Sequence, residues 1–313
     1  MKVELAILNY NGRHHLEHLL PTAIREAHSY GLDCRVVVID NQSPADDAAW
    51  VRENYSGVEV WVAPRNEYLF SYNEYAKQSA AEVLVLLNND LKLCKDFLPP
   101  LLRHFDSQDV FAVSAASKNW DGDKCTFGPM LLKHHHGDYY WNPDYERQIN
   151  SHTLFCSGGF MAVEREKFLK LGGFSPLYYP AYTEDVDLCF RAWRKGWRCL
   201  YEPQSVVLHR EHGSWDSLSG SKVDRLMLRG RLLFSWSTLP RSVSLYEEYC
   251  YFLYKSAFKL LHGEIWFIKI FLGTWCEWKK IHDRYSDLKI SLEELRQIQK
   301  SLSIPIEQFH SNS

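Results

Sequence analysis

Short, almost wholly apolar runs punctuate the first third of the chain, at Val3 to Asn9, Cys34 to Asp40, Val58 to Val62 and Glu82 to Leu87. Runs of this length that are rich in Val and Ile and apolar on both faces suit buried parallel strands. Between them the period changes. Leu16, Leu19, Leu20, Ala23, Ile24 and Ala27 recur at helical spacing, and helical segments follow at Ala45 to Tyr55 and Ser71 to Ala80. Alternating strand and helix over the first 120 residues predict an α/β fold built as a doubly wound sheet.

From Lys118 to Thr153 the pattern dissolves into a loop-like stretch, too long to be an idle connection and therefore expected to be functional. His134, His135 and His136 lie in it, but three consecutive histidines cannot converge on one ion, so they read as solvated. A helix is then signalled over Glu184 to Lys195: Thr183 can cap it, Glu184, Asp185 and Asp187 fill its first turn, and Gly196 can stop it. Two short strands are expected at Arg198 to Tyr201 and Ser205 to His209, with Pro203 marking a turn between them. Beyond Ser214 long aromatic and basic helical stretches begin. They predict a division into residues 1–215 and a C-terminal helical module, 216–313.

Within that module Tyr246 to Lys280 reads as two helices separated at Gly263. In the first, Glu248, Tyr251, Lys255, Lys259 and His262 share a stripe from which Leu253, Ala257, Phe258 and Leu261 point away. In the second, the apolar run Ile265 to Cys276 is shorter than the ~20 residues that span a bilayer. An in-plane pair at a membrane surface is expected, with Trp266, Trp275 and Trp278 at the interface and Lys279 and Lys280 near anionic headgroups. Packing on the sheet domain or dimerisation is the alternative. Ser291 and Glu294 form a capping box for a last helix whose polar composition predicts a soluble tail.

Composition narrows the function class. The 36 basic and 39 acidic residues leave a formal charge of −3, which argues against a nucleic-acid grip. Hydrophobic residues at 46% and charged ones at 24% fit neither a disordered chain nor a polytopic membrane protein. The eight cysteines contain no C-x-x-C pair, so no zinc knuckle or disulfide framework is indicated. The first apolar run is too short for a signal peptide. A cytoplasmic setting is expected, peripheral at the inner face of the membrane if the helix pair docks there.

Candidate chemistry gathers where an open α/β sheet binds its ligands, at the carboxyl ends of the strands. The first strand ends in Asn9, Tyr10, Asn11 and Gly12, the second in Asp40, Asn41 and Ser43, and the fourth in Asn88, Asn89 and Asp90. No G-x-G-x-x-G follows the first strand and no P-loop pattern occurs, so dinucleotide oxidoreductases and P-loop enzymes are excluded. One strand-end carboxylate, Asp90, with amides beside it suits Mg²⁺ or Mn²⁺ shared with a substrate diphosphate, because such ions keep few protein ligands.

The ordered set AILNYNG at Ala6, VVVIDNQSPADD at Val36, LVLLNND at Leu84, CSGGFMAVEREKFLKLGGF at Cys156, YTEDVDLCFRAWRKGW at Tyr182 and VVLHREHGS at Val206 resembles the family 2 glycosyltransferases. These are inverting enzymes of the GT-A fold, and the similarity, over Lys2 to about Ser214, is strongest to their rhamnosyltransferase-like branch. The resemblance implies a nucleotide-sugar site drawing on Leu8, Asn9, Tyr10, Asp40, Asn73 and Asn89. It implies Asp185 as catalytic base, Glu184, Gly158 and Gly159 on the acceptor side, and Asp90 and His209 as holders of Mg²⁺ or Mn²⁺. By themselves the same residues have plainer readings: acids at a helix N-terminus, a hydrogen-bonded strand histidine, and a Gly-Gly turn. Two positions depart from the family pattern. The metal motif retains only its last carboxylate, and RNEYLFSYNEYA places Tyr68 where relatives carry glycine. The expected activity is transfer of a sugar, with a deoxysugar such as rhamnose among the donors the resemblance implies, from a nucleoside diphosphate donor to a hydroxyl of a glycan or lipid-linked acceptor. The alternative is a catalytically silent, GT-A-like carbohydrate-binding protein.

Overall fold

The computed structural model describes residues 1–135, 138–210, 220–240, 245–281 and 289–303. Strand and helix alternate at the start: β1 (Val3–Asn9), α1 (Arg13–Tyr30), β2 (Cys34–Asp40), α2 (Asp47–Asn54), β3 (Val58–Val62), α3 (Ser71–Gln78) and β4 (Val83–Asn88). The four strands are parallel and ordered β3-β2-β1-β4. Leu5, Ala6 and Ile7 of β1 and Val85, Leu86 and Leu87 of β4 are fully buried. Both faces of these strands are covered, which is the physical reason for their near-continuous apolar runs, interrupted in β1 only by the buried Glu4.

The second half makes the sheet mixed. It contains β5 (Leu91–Leu93), α4 (Leu98–Leu102), β6 (Val110–Asn119), β7 (Cys125–Phe127), β8 (Met130–His135), β9 (Asp138–Pro143), β10 (Ser151–His152), β11 (Phe160–Glu164), α5 (Arg165–Lys170), α6 (Glu184–Arg194) and β12 (Arg198–His209). Beyond β4 the order continues β11-β6-β12-β10, with β11 antiparallel to both β4 and β6 and β12 parallel to β6.

Two expectations are corrected here. The stretch from Lys118 to Thr153 is not a loop: β7 adds to β6, and β8 pairs antiparallel with β9 from Met130↔Pro143 to His135↔Asp138. Leu132 and Tyr139 of that hairpin are buried, and Trp141 meets Phe155 and Phe234 edge-on, so tertiary packing supplies what the mixed composition hid. His134 and His135 lie along β8, whereas His136 falls outside the described residues. The two strands expected on either side of Pro203 are one strand, β12, whose register with β6 shifts between Glu202 and Val206. The irregularity absorbs the proline without ending the strand.

The C-terminal helices are α7 (Gly220–Ser237), α8 (Leu245–Leu261), α9 (Ile265–Ile281) and α10 (Leu292–Ser303). Leu233, Phe234 and Leu239 join the same hydrophobic core as the sheet. Gly230 of α7 lies where a Cβ would come within 2.8 Å of the Tyr182 carbonyl, so the helix backbone abuts the segment entering α6. The boundary expected after residue 215 lies outside the described residues. Gly263, at φ 75°, ends α8 as expected. Helix α10 is not a free tail. Its capping box forms, with Ser291 N donating to Glu294 Oε2 at 2.8 Å and Glu294 N to Ser291 Oγ at 3.1 Å, while Leu295, Ile298 and Leu302 are buried. Arg147 and His152 each hydrogen-bond a carbonyl of its last turn.

Candidate active site

Parallel register brings the strand ends together, since Asn9 lies opposite Asp40 and Leu8 opposite Asn88. Asn9 is buried and organises this corner: its Nδ2 donates to Asp47 Oδ2 at 3.0 Å and Asp40 Oδ1 at 3.3 Å, and its Oδ1 accepts from Asn89 Nδ2 at 2.8 Å. Asp40 also accepts from the hydroxyl and amide of Ser43 at 2.5 and 3.1 Å, so its carboxylate braces the loop after β2. Asp47, which the sequence reading passed over, additionally accepts the Gly12 amide at 2.9 Å. Its place in the first turn of α2, where acids are common, gave no sign of that role. Leu8 is half-buried beneath this corner and Tyr10 is exposed beside it.

Asp90 and His209 meet because β5 returns antiparallel along β12. Val207 pairs with Leu93, Leu208 with Lys92 and His209 with Leu91, and Arg210 N donates to the Asp90 carbonyl at 3.0 Å. The result sets His209 Nε2 3.5 Å from Asp90 Oδ1. One carboxylate oxygen and one imidazole nitrogen at that spacing fit adjacent positions on a Mg²⁺ or Mn²⁺ ion, for which ligands at ~2.1 Å lie roughly 3 Å apart. Arg210 lies over the Trp120 ring at 4.6 Å, a cation–π contact beside this pair that the sequence reading did not foresee.

Helix α6 carries the other half. Asp185 Oδ1 accepts its neighbour Val186 N at 2.9 Å, and Oδ2 accepts Gly158 N at 3.3 Å. Burial pushes the Asp185 carboxyl up to about 7, with the nearby Cys189 adding to it, and burial followed by the Asp185 charge pushes Glu184 up to about 8. Asp187, two residues on, is turned away to structural work: it pairs with Arg191 at 2.8 Å, and Arg191 also donates to the carbonyls of Leu171 and Gly173.

Gly158 and Gly159 explain how the halves join. Neither has a positive φ, so backbone freedom is not their reason. A Cβ on Gly158 would meet Leu69 at 2.8 Å, and one on Gly159 would meet the Asn88 amide at 2.7 Å. Asn88 N in turn donates to the Gly159 carbonyl at 2.8 Å, and the Phe160 ring lies 6.1 Å from that of His209. Three consecutive residues thus touch Asp185, Asn88 and His209. The backbone around them is strained: Tyr68, Tyr182 and Thr183 have φ of 54°, 72° and 79°, conformations that cost non-glycine residues about 1–3 kcal/mol each and cluster at functional sites. Asn66 Oδ1 and Asn41 Nδ2 pin Tyr68 through its own N–H and C=O at 3.0 Å each.

Asn73 is placed elsewhere. Both ends of its amide are engaged by the backbone of Phe174, each at 2.8 Å, so it clamps the turn that supports α6. Three cysteines far apart in sequence, Cys156, Cys189 and Cys199, have sulfurs within 4.8 Å of one another in the core behind Asp185. Cys156 and Cys199 donate to the carbonyls of Leu200 and Cys189, and Cys189 accepts the Cys156 amide.

A mixed sheet with a parallel half, polar strand ends at its switch point and a carboxylate–imidazole pair beside an acidic helix N-terminus define a GT-A glycosyltransferase fold. The solved structures agree on the fold. The chain superposes on GalNAc-T7 with UDP, GalNAc and Mn²⁺ at a TM-score of 0.58 and 18% identity, covering 76% of this chain and 48% of that one. It superposes on the mannosyltransferase PcManGT from Pyrobaculum calidifontis in complex with GDP-Man and Mn²⁺ at 0.54 and 18% identity, covering 75% and 63%. The model of the glycosyltransferase like family 2 matches residues 2–230, and the chain belongs to that family. Rhamnosyltransferase WbbL of Escherichia coli (strain K12) is 38% identical over 69 residues, covering 21% of this chain and 26% of that protein. The N-acetylglucosaminyl-diphospho-decaprenol L-rhamnosyltransferase of Mycobacterium tuberculosis is 42% identical over 57 residues, 18% of each. The chain therefore aligns with only 26% and 18% of the length of these two curated relatives.

Proposed function

We propose that the protein transfers a sugar from a nucleoside diphosphate donor to a hydroxyl of a glycan or lipid-linked acceptor, with inversion at the anomeric carbon. The observation that supports this is the contact of residues 158–160 with Asp185, Asn88 and His209, which brings the half-buried Asp185 and the Asp90–His209 pair to one short segment. Asp185, with a carboxyl raised to about 7, takes the acceptor hydroxyl proton as that oxygen attacks, an ideal match of basicity to neutral pH. The bond between the anomeric carbon and the diphosphate oxygen breaks as the new bond forms, its electrons leaving with the diphosphate. Asp90 and His209 would hold a divalent ion, which when bound would supply charge neutralisation for that leaving group. Glu184, raised to about 8 and so mostly protonated at neutral pH, positions the acceptor as a hydrogen-bond donor. Leu8, Asn9, Tyr10, Asp40 and Asn89 form the corner offered to the nucleotide.

The Mn²⁺ and nucleotides in the superposed structures support the metal and donor class, and the rhamnosyltransferase relatives support a deoxyhexosyl donor. A panel of nucleotide sugars scored by released nucleoside diphosphate tests the reading. Release from one donor, enhanced by an acceptor and lost in Asp185→Asn, is the expected result. Donor binding without turnover would favour a silent carbohydrate-binding protein instead.

A further inference from the structure

Helices α8 and α9 form a hairpin whose apolar side faces outward. On α8 the stripe Leu253, Phe258 and Leu261 is exposed at 47%, 47% and 86%, with Tyr254 beside it at 66%. On α9 Ile265 and Leu272 are each 55% exposed, on the same face as Lys269 and Lys280. An amphipathic helix in a globular protein ordinarily turns such a stripe to the core, and large contiguous apolar patches mark interaction sites. The inward face is already occupied, by Phe252 stacked on Phe271 and by Trp236 against Phe271, Trp275 and Trp278. Trp278 is thereby drawn into the packing and is not at the outer surface where the sequence placed it.

At the hairpin tip a cavity of about 300 Å³ is lined by Arg225, Gly263, Ile265, Trp266, Lys269 and Ile270. Arg225 lies 6.0 Å over the Trp266 ring, and among the described residues neither Arg225 nor Lys269 is ion-paired. Two described acids nearby are committed elsewhere: Glu264 to Lys259 at 2.8 Å and Glu277 to Arg229 at 2.9 Å. Two cations in a pocket lined by exposed Ile265, with exposed Leu261 two residues before its Gly263, have the complementarity of a lipid: anionic headgroup in the pocket, acyl chains along the apolar residues beside it.

We propose that the α8–α9 hairpin docks on the surface of an anionic phospholipid bilayer, with Arg225 and Lys269 holding a lipid phosphate and Leu253, Phe258, Leu261, Ile265 and Leu272 entering the acyl boundary. This goes beyond sugar transfer and is separable from it, although docking there orients the acceptor side. Helix α7 connects the two, touching Thr183 through Gly230 and α9 through Arg229.

Flotation of the full chain with vesicles of phosphatidylcholine alone, and of phosphatidylcholine with phosphatidylglycerol, tests the proposal. The expected result is binding at least tenfold tighter to the anionic vesicles. Arg225→Gln with Lys269→Gln should weaken that binding about 25-fold, at roughly fivefold per cation, and leave binding to neutral vesicles unchanged. Leu261→Glu with Ile265→Glu should abolish flotation with both. Far-UV circular dichroism and nucleoside diphosphate release in solution monitor folding and transfer independently of lipid. No flotation by the intact protein, or equal flotation by every variant, overturns the proposal. So does a concentration-dependent dimer lost in Leu261→Glu with no vesicle binding, which would give the face to a second copy of the chain.

Discussion

Replacing Asp185 by Asn separates catalysis from stability. The amide keeps the shape of the carboxylate and one oxygen to accept from Gly158 N or Val186 N, yet it cannot take a proton. Turnover should fall by about 10² to 10⁴-fold with donor binding kept, the usual range for removing a general base. The fold should gain stability. Raising a carboxyl from 3.8 to about 7 means that ionising it in the folded protein costs about 4 kcal/mol, at about 1.4 kcal/mol per unit. Partial access of solvent at the mouth of the site brings the expected gain down to about 2 kcal/mol at pH ~8. Between these two values the folded protein binds more protons than the unfolded chain, so wild-type stability falls as pH rises through about 4 to 7. The Asn variant lacks this dependence. Its advantage is therefore full above about pH 7 and disappears near pH 4, where the aspartate is protonated in both states. Steady-state release of nucleoside diphosphate, with urea unfolding at several pH values, measures both effects. Near wild-type turnover would remove Asp185 from the mechanism, and equal stability at alkaline pH would show that its carboxylate is not held in a low-dielectric position.

Three further outcomes follow from the same geometry. The wild-type rate should rise tenfold per pH unit below about 7 and then level as Asp185 loses its proton; a profile flat from pH ~5 to ~8 would contradict this. Activity should require Mg²⁺ or Mn²⁺, and Asp90→Ala or His209→Ala should weaken Mn²⁺ affinity in a metal titration by tenfold or more, whereas transfer that survives both chelation and Asp90→Ala would refute the metal assignment. Leu295→Ala in α10 should destabilise the fold by about 3 kcal/mol, read as a lowered urea midpoint, because that side chain is only 2% exposed; no change would mean that the helix does not pack as described.

The local sequence determined the parts whose physics is local or repetitive. The strands β1, β2 and β4 announced themselves because a strand buried on both faces is almost wholly apolar, whereas β3, at the sheet edge, was legible although only Val58 of it is buried. The acidic first turn of α6 and the capping box at Ser291 were legible because helix ends select residue types within a few positions, although Thr183, in a left-handed conformation, makes no side-chain cap hydrogen bond to α6. Strand ends facing a common crevice were legible as candidates for the same reason, since Asn9, Asp40 and Asn89 each close an apolar run. What the chain did not disclose was partnership across distance. The β8–β9 hairpin looked like a loop because its support comes from Phe155 and Phe234, well removed in sequence. Asn73 looked like a donor contact until its amide was found on Phe174, 101 residues away. Asp90 and His209 become a pair only through the β5–β12 register, and Asp185 is linked to the strand ends and to His209 through residues 158–160. The apolar stripe of α8 was plain in the sequence, but which way it turned was decided by Phe252 and the aromatic cluster that claimed the inner face of the hairpin. Hydrophobic periodicity fixes that a face is apolar, while the choice between core and solvent depends on which other surfaces compete to cover it.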